Sequence, residues 1–90
     1  MPKERPSATA EDLLREALAA EILRLNPEAG AAGIDPDVAL LDSGYLDSLT
    51  AAELLAAAEA RWGVHVSVDR LVGDLPTLRA LAAWLAAETR

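Results

Sequence analysis

Ser48 is the residue whose type and position most directly offer chemistry in this chain. It stands in the segment 44–55, "GYLDSLTAAELL", where a glycine turn leads into a stretch with helical character. A serine at the start of a helix has two possible roles. Its hydroxyl can cap the helix by accepting a backbone N–H of the first turn, or it can carry a covalent group at the positive end of the helix dipole.

Three features of the sequence favour a serine that carries a group. Asp47 directly precedes Ser48 and can cap the helix in its place. A phosphodiester on the Ser48 hydroxyl would be stabilised by the helix dipole. The hydroxyl would also lie where a long loop meets the helix, at the rim of the domain. Ser43 has no helix behind it, and we interpret it as a turn residue.

The remaining residues offer little catalytic or metal-binding chemistry. The chain has one His, one Tyr and no Cys. His65, flanked by valines, is interpreted as a structural or surface residue, since a single His does not make a typical zinc site. A hydrolase would need a second catalytic group near Ser48, and none is evident. The acids of the long loop do not follow the spacing of a calcium-binding loop and are interpreted as solvated: Asp35, Asp37, Asp42 and Asp47.

The composition predicts one small helical domain. Of the 90 residues, 52% are hydrophobic but only 3% aromatic, so alanine and leucine must build the core, and both favour helices. The formal net charge of −7 disfavours nucleic acid and anionic membranes as partners and favours basic protein surfaces. The lack of cysteine, of a membrane-length apolar run and of a signal-peptide pattern leads us to expect a cytoplasmic protein.

Apolar periodicity predicts three main helices and one short helix. The first spans about residues 10–25 and begins after Thr9, with Asp12 as its capping partner. The second spans about 48–61 and ends before Gly63. A short third helix is expected in "VDRLVG", and the last follows "LPT". "VHVSV" alternates like a strand but has no pairing partner nearby. Residues 1–9 are expected to be a flexible lead-in to a folded domain at 10–90.

An unusually long loop joins the first two helices. Loops of about 20 residues are uncommon in compact domains unless they serve a function. Apolar residues along this one predict that it is ordered, with one helical turn near 36–40. The expected fold is therefore all-α, a small four-helix bundle with a long ordered loop between helices one and two. The predicted anchors of the loop are Ile34, Val38, Leu40, Leu41, Tyr45 and Leu46.

The segment 44–66, "GYLDSLTAAELLAAAEARWGVHV", resembles the acyl carrier and peptidyl carrier proteins. Their motif is Asp-Ser-Leu at the start of the second helix, with the serine bearing 4′-phosphopantetheine. The resemblance covers about residues 11–88. The four-helix order, the long first loop, the glycine that closes helix two and the "PTLRALAAWL" of the last helix all follow the family order.

The resemblance implies a non-catalytic carrier with Ser48 as its attachment site. Cargo would be held as a thioester on the phosphopantetheine arm, and partner enzymes would perform the chemistry. These partners would be a phosphopantetheinyl transferase, an acyl- or aminoacyl-loading enzyme, and downstream synthases or tailoring enzymes. Asp47 and Leu49 would guide the transferase, and the exposed side of helix two would be the general docking face. The residues expected at this partner face are Asp47, Leu49, Ala52, Glu53 and Ala56.

The details of the motif indicate a subgroup of the family. Gly44 is similar to the pattern of free-standing carriers for aminoacyl or small oxygenated acyl units. Family members often carry an acid two residues after the serine and a larger apolar residue eight after it, where this chain has Thr50 and Ala56. These departures favour polyketide- or nonribosomal-peptide-type biosynthesis over fatty-acid synthesis. We expect the protein to be a monomer. The alternative is a small acidic helical adaptor that binds a partner through helix two and carries no prosthetic group.

Overall fold

The structure is a computed structural model that describes residues 9–31 and 33–89. Of the lead-in expected at 1–9, residues 1–8 lie outside the described residues, and Thr9 is the N-cap of α1. Four α-helices run through it: α1 (Ala10–Leu25), α2 (Ser48–Trp62), α3 (Val68–Val72) and α4 (Leu78–Glu88). A 3₁₀ helix at Pro27–Ala31, which the sequence did not predict, follows α1. The expected all-α four-helix fold is confirmed. In the described part of the chain, every helix is too short or too polar to cross a membrane.

Local side-chain and glycine chemistry sets the ends of the helices. The Thr9 hydroxyl accepts the Asp12 N–H at 3.1 Å, and the Asp12 carboxylate accepts the Thr9 N–H at 3.3 Å, which completes a capping box on α1. Thr77 caps α4 by accepting the Ala80 N–H. Gly63 ends α2 with a φ of 71°, a left-handed conformation that glycine adopts without strain. The predicted ends therefore agree with the observed ones to within about a residue.

Leucine side chains from all four helices make up most of the core. Leu18 of α1, Leu54 of α2 and Leu81 of α4 are almost fully buried. α1 packs against both α4 and α2, while α3 packs on α2. Because leucine and alanine fill the core without polar atoms, no buried polar or charged side chain has to be satisfied within the described residues. The face of α4 that packs against the bundle is buried: Leu78, Leu81, Ala82 and Leu85.

The long loop between α1 and α2 is packed on the bundle, as predicted. Leu40 and Leu46 are its deep anchors, with exposures of 0% and 2%. Ile34, Leu41 and Tyr45 are half-buried against the same core. The loop therefore contributes to the hydrophobic core and is more than a connection between two helices.

A helical turn forms slightly later than the predicted 36–40, where the Ser43 N–H donates to the Ala39 carbonyl at 2.9 Å, and residues 36–40 themselves pair with the start of α4. Ala39 makes an isolated antiparallel bridge with Thr77. The Leu40 N–H donates to the Pro76 carbonyl at 2.8 Å, and the Arg79 N–H donates to the Pro36 carbonyl at 3.0 Å. These long-range bonds satisfy backbone groups that an isolated helical turn would leave to water. "VHVSV" likewise forms no strand within the described residues.

An exposed ion pair lies over the same junction. Arg79 Nε donates to Asp37 Oδ1 at 2.6 Å. This hydrogen bond from Arg79 holds the pKa of Asp37 below its ordinary value. Exposed pairs of this kind contribute little stability, so we attribute the attachment of the loop mainly to the backbone bonds and to Leu40.

The difference between Leu40 and its neighbour gives a direct test of loop packing. Leu40→Ala should lower the free energy of unfolding by about 2–5 kcal/mol, because it opens a cavity at a fully buried site. Leu41→Ala, the matched control one residue away, should cost less, because Leu41 is only partly buried. Urea denaturation followed by circular dichroism measures both values. Equal losses would show that the deep anchor has been wrongly identified.

Candidate functional site

Ser48 is the first residue of α2 and follows the N-cap, Asp47. Its side chain is exposed to solvent. Within residues 9–31 and 33–89, no group forms a hydrogen bond with its hydroxyl. The structure therefore places a free hydroxyl at the junction predicted from the sequence.

Asp47 and Thr50 together perform the capping that Ser48 could have performed. Asp47 Oδ1 accepts the Thr50 N–H at 2.8 Å, and Thr50 Oγ1 accepts the Asp47 N–H at 2.9 Å. This is a reciprocal capping box with threonine in the position where Glu or Gln is usual. The threonine at position 50, where family members often carry an acid, is therefore explained by its part in the capping box. Of the two roles open to Ser48, the capping role is already taken.

The capping box also determines the charge next to Ser48. Hydrogen bonds from the Thr50 backbone N–H and from the Thr50 side chain lower the pKa of Asp47 below its ordinary value of 3.8. Asp47 is thus a carboxylate at neutral pH and occupies the positive end of the α2 dipole. A phosphodiester on Ser48 would share that end with Asp47. The dipole would therefore stabilise it less than the sequence led us to expect.

The segment before Asp47 is held on three sides. Asn26, at the end of α1, donates its Nδ2 hydrogen to the Tyr45 carbonyl at 2.9 Å. The Tyr45 hydroxyl accepts the Asp35 N–H at 3.0 Å and lies 3.4 Å from the Gly33 carbonyl, to which it donates. Gly44 has a φ of 86°, a conformation that side-chain-bearing residues adopt only with strain. This turn aims the chain from the loop into the first turn of α2.

Ser43, the other serine near the motif, has no free hydroxyl. Its Oγ donates to the Leu40 carbonyl and accepts the Tyr45 N–H, each at 3.3 Å. The residue lies in a turn, as the sequence indicates. Its hydroxyl therefore stabilises the loop.

The residues expected at a partner face lie on the solvent side of α2. Leu49 is 69% exposed beside Ser48, an unusual position for a leucine. Ala52, Glu53 and Ala56 continue along the same helix and are all exposed. The role of this surface stays a prediction. Val72 of α3 is also 71% exposed. The mixture of polar and apolar residues in this short helix did not indicate that Val72 faces solvent.

A shallow open groove of about 620 Å³ begins at Ser48 and runs along the loop toward the end of α1. Leu25 and Asn26 of α1 and Leu41 and Tyr45 of the loop line it, together with Ser48 itself. Asn26 was not recognised as a groove residue from the sequence, where "NP" signalled only the end of a helix. No local pattern reveals a hydrogen bond between residues 19 positions apart.

Other polar residues of interest lie away from Ser48. His65 follows the far end of α2 and is exposed, with its Nδ1 3.3 Å from Glu59 Oε1. Asp35 accepts the Asp37 N–H, and Asp37 pairs with Arg79. In the ranges that the structure describes, no three acidic or histidine side chains cluster in a way that could hold a metal ion.

Comparison with known proteins identifies the class of this domain. The phosphopantetheine attachment site family matches residues 12–85. An acyl carrier protein of Streptomyces coelicolor is 38% identical over 86 residues, covering 96% of this chain and 88% of that relative. No solved structure matches the chain significantly. The chain belongs to the phosphopantetheine attachment family. It is a carrier that bears 4′-phosphopantetheine and is not itself a catalyst.

The geometry fits such a group. A phosphodiester link needs a hydroxyl that is exposed and has no other hydrogen-bonding duty, and Ser48 meets both conditions. The adjoining groove leaves room beside that hydroxyl for a flexible chain. Bound there, 4′-phosphopantetheine supplies a terminal thiol, which this cysteine-free chain lacks.

The charge of Asp47 predicts a pH-dependent stability. Because the folded-state pKa of Asp47 lies below its ordinary value of 3.8, the stabilisation is present above pH 3.8 and is lost as the pH falls through the folded-state pKa. Asp47→Asn keeps a capping side chain but removes the charge. The wild type should therefore melt above Asp47→Asn at neutral pH, and the gap should close in acid.

Thermal melts followed by circular dichroism, from neutral pH into acid, measure the difference in melting temperature between wild type and Asp47→Asn. Asp42→Asn removes the carboxylate of an exposed loop acid that caps no helix, and it is the control for the loss of one negative charge. A gap between wild type and Asp47→Asn that stays constant into acid would contradict a charge-based role for the cap.

Proposed function

We propose that this protein is a discrete carrier that holds acyl or aminoacyl intermediates as thioesters on a phosphopantetheine arm attached to Ser48. One observation carries the proposal: Asp47 and Thr50 cap α2 between them and leave the Ser48 hydroxyl exposed and unbonded. A serine kept only for capping would be bonded to a first-turn N–H.

Attachment at Ser48 would form a phosphorus–oxygen bond to Oγ and break the pyrophosphate link of coenzyme A, releasing adenosine 3′,5′-bisphosphate. The serine proton must go to a base. Asp47 is a poor candidate, because hydrogen bonds from Thr50 lower its pKa and already engage its Oδ1. The chain therefore presents the nucleophile, and the base would come from the transferase.

The exposed face of α2 would receive the partner enzymes. These are a phosphopantetheinyl transferase, a loading enzyme, and downstream synthases or tailoring enzymes, meeting a monomeric carrier in the cytoplasm. A net charge of −7 would speed their encounter through basic surfaces. Leu49, next to the serine, would supply the apolar contact. Asp47, Ala52, Glu53 and Ala56 would complete the face.

Specialised biosynthesis of the polyketide or nonribosomal-peptide type is the pathway class we favour. Ala56 leaves the docking face smooth where family members often have a larger side chain. The seam between α1 and α2, beside Leu18, Leu54 and Trp62, has no space even for a water molecule. A small polar cargo that stays in solvent suits such a closed core better than a long alkyl chain does.

The first test of this proposal is the mass of the modified protein. Wild type incubated with coenzyme A and a broad-specificity transferase should gain one phosphopantetheine, and Ser48→Ala should gain none. Because Asp47 remains the cap, Ser48→Ala should keep a near-native circular dichroism spectrum and lose at most about 1 kcal/mol. Intact-mass spectrometry measures the modification.

Ser43→Ala is the matched control and should be modified like the wild type. Full modification of Ser48→Ala would move the attachment to another hydroxyl. A wild type that no transferase modifies would favour the helical adaptor that carries nothing, which family membership otherwise disfavours.

A charge reversal on α2 tests the docking face. Glu53→Lys should raise the KM of the transferase by roughly threefold with little change in kcat, because a charge near the interface mainly affects association. The effect should fade as salt increases. Steady-state modification rates at low and high salt measure both.

Glu88→Lys makes the same charge change at the end of α4 and serves as the control. Apart from the small effect of the altered net charge, Glu88→Lys should leave the KM of the transferase nearly unchanged. Normal modification of Glu53→Lys at low salt would exclude this part of α2 from the transferase interface.

A further inference from the structure

We propose that the groove between the end of α1 and the loop before α2 seats the phosphopantetheine arm between visits to partner enzymes. It is lined by Leu25 and Asn26 at the end of α1 and by Leu41 and Tyr45 of the loop. The inference rests on attachment at Ser48, as proposed above, and adds a binding site for the arm on the carrier's own surface.

The position of Ser48 makes this groove the nearest site for anything attached to it. Ser48 is itself part of the groove wall, so a chain on its Oγ enters the groove directly. The volume of about 620 Å³ falls within the range of roughly 300–1,000 Å³ typical of small-molecule sites. Because the arm would be covalently linked to Ser48 at the groove wall, its effective concentration in the groove would be about millimolar. Weak contacts are then enough to hold it there.

The chemistry of the walls matches an arm that alternates amide groups with methylene segments. Asn26 uses its Nδ2 hydrogen on the Tyr45 carbonyl, and its Oδ1 accepts no hydrogen bond from the described residues. That oxygen is therefore available to an amide N–H of the arm. Leu25 and Leu41 are half-buried, with their inner sides packed against the core, and offer apolar surface to the methylenes.

The groove is held in shape before any arm is attached. Tyr45 is tied by its carbonyl to Asn26 and by its hydroxyl to Asp35 and Gly33. Groups that are already ordered lose little further freedom on binding. The Asn26 amide thus holds Tyr45 in place through its nitrogen and leaves its oxygen for the arm.

The location also separates storage from docking. A second groove runs along the other side of α2, lined by Ala52, Ala56, His65 and Val68. An arm seated there would cover the proposed partner face. The groove against α1 shares Asp47 with that face but contains none of its other four residues, so an arm seated there leaves most of the face open to the next enzyme.

The test compares nuclear magnetic resonance spectra of apo and holo protein after mass spectrometry has shown that Ser48 is modified. In the wild type, attachment should shift the Asn26 side-chain amide and the Leu25 and Leu41 methyls, with cross-relaxation between these groups and the arm. Asn26→Ala and Leu25→Ala should weaken that cross-relaxation. Leu13→Ala, at an exposed leucine of the same helix outside the groove, is the matched control.

The thiol of the arm gives a second readout, because the chain has no cysteine. Its reaction with an aromatic disulfide should speed up by about threefold in holo Asn26→Ala relative to holo wild type, the scale of one exposed hydrogen bond. Holo Leu13→Ala should react like the wild type. Melting curves ensure that every variant is compared while folded.

The outcomes separate this inference from the attachment itself. Failure of the mass shift would remove the attachment at Ser48. Normal modification with shifts confined to residues 47–50, and equal thiol rates in all variants, would leave attachment intact and overturn the seat. Cross-relaxation to Ala56 or Val68 would place the arm in the opposite groove and would also overturn it.

Discussion

The capping box between Asp47 and Thr50 determines where α2 begins, and the properties of Ser48 depend on that position. A helix needs its first N–H groups satisfied, and here one carboxylate and one hydroxyl do so from the positions on either side of Ser48 and Leu49. Ser48 and Leu49 are therefore part of the helix but are not needed to cap it. Both are exposed, one with a hydroxyl and one with an apolar side chain. The proposed attachment hydroxyl and the proposed apolar contact for a partner are thus displayed from the same turn.

The long loop supports this turn from behind. Gly44 turns the chain, Leu46 anchors it in the core, and Asn26 holds the Tyr45 carbonyl from α1. None of these contacts involves Ser48. The position of the hydroxyl is set by packing and backbone bonds, while the hydroxyl itself has no structural duty. This separation is what a site of covalent modification requires, because the modified and unmodified proteins must both fold.

Most of the helical fold, and the exposed position of Ser48 at the start of α2, could be predicted from the sequence, because both rest on local patterns. Helix ends follow from capping residues such as Thr9 and Thr77, and the buried faces follow from leucine periodicity. The helical turn expected near 36–40 lies three residues later, at 39–43, because the Leu40 N–H has a better partner in the Pro76 carbonyl, 36 positions along the chain. The groove was missed for the same reason. Its key residue, Asn26, acts through a contact with Tyr45 that no local pattern contains.

The pairing between the loop and the start of α4 has a consequence for how the domain opens. Backbone bonds from Leu40 to Pro76 and from Arg79 to Pro36 join two segments that lie far apart along the chain. Cooperative opening units in proteins often follow such tertiary connections. The loop and the first turn of α4 are thus expected to exchange their amide hydrogens together, at rates close to those of the core. The protein would then display its proposed modification site on the edge of its slowest-opening unit, where an enzyme would recognise an already folded surface.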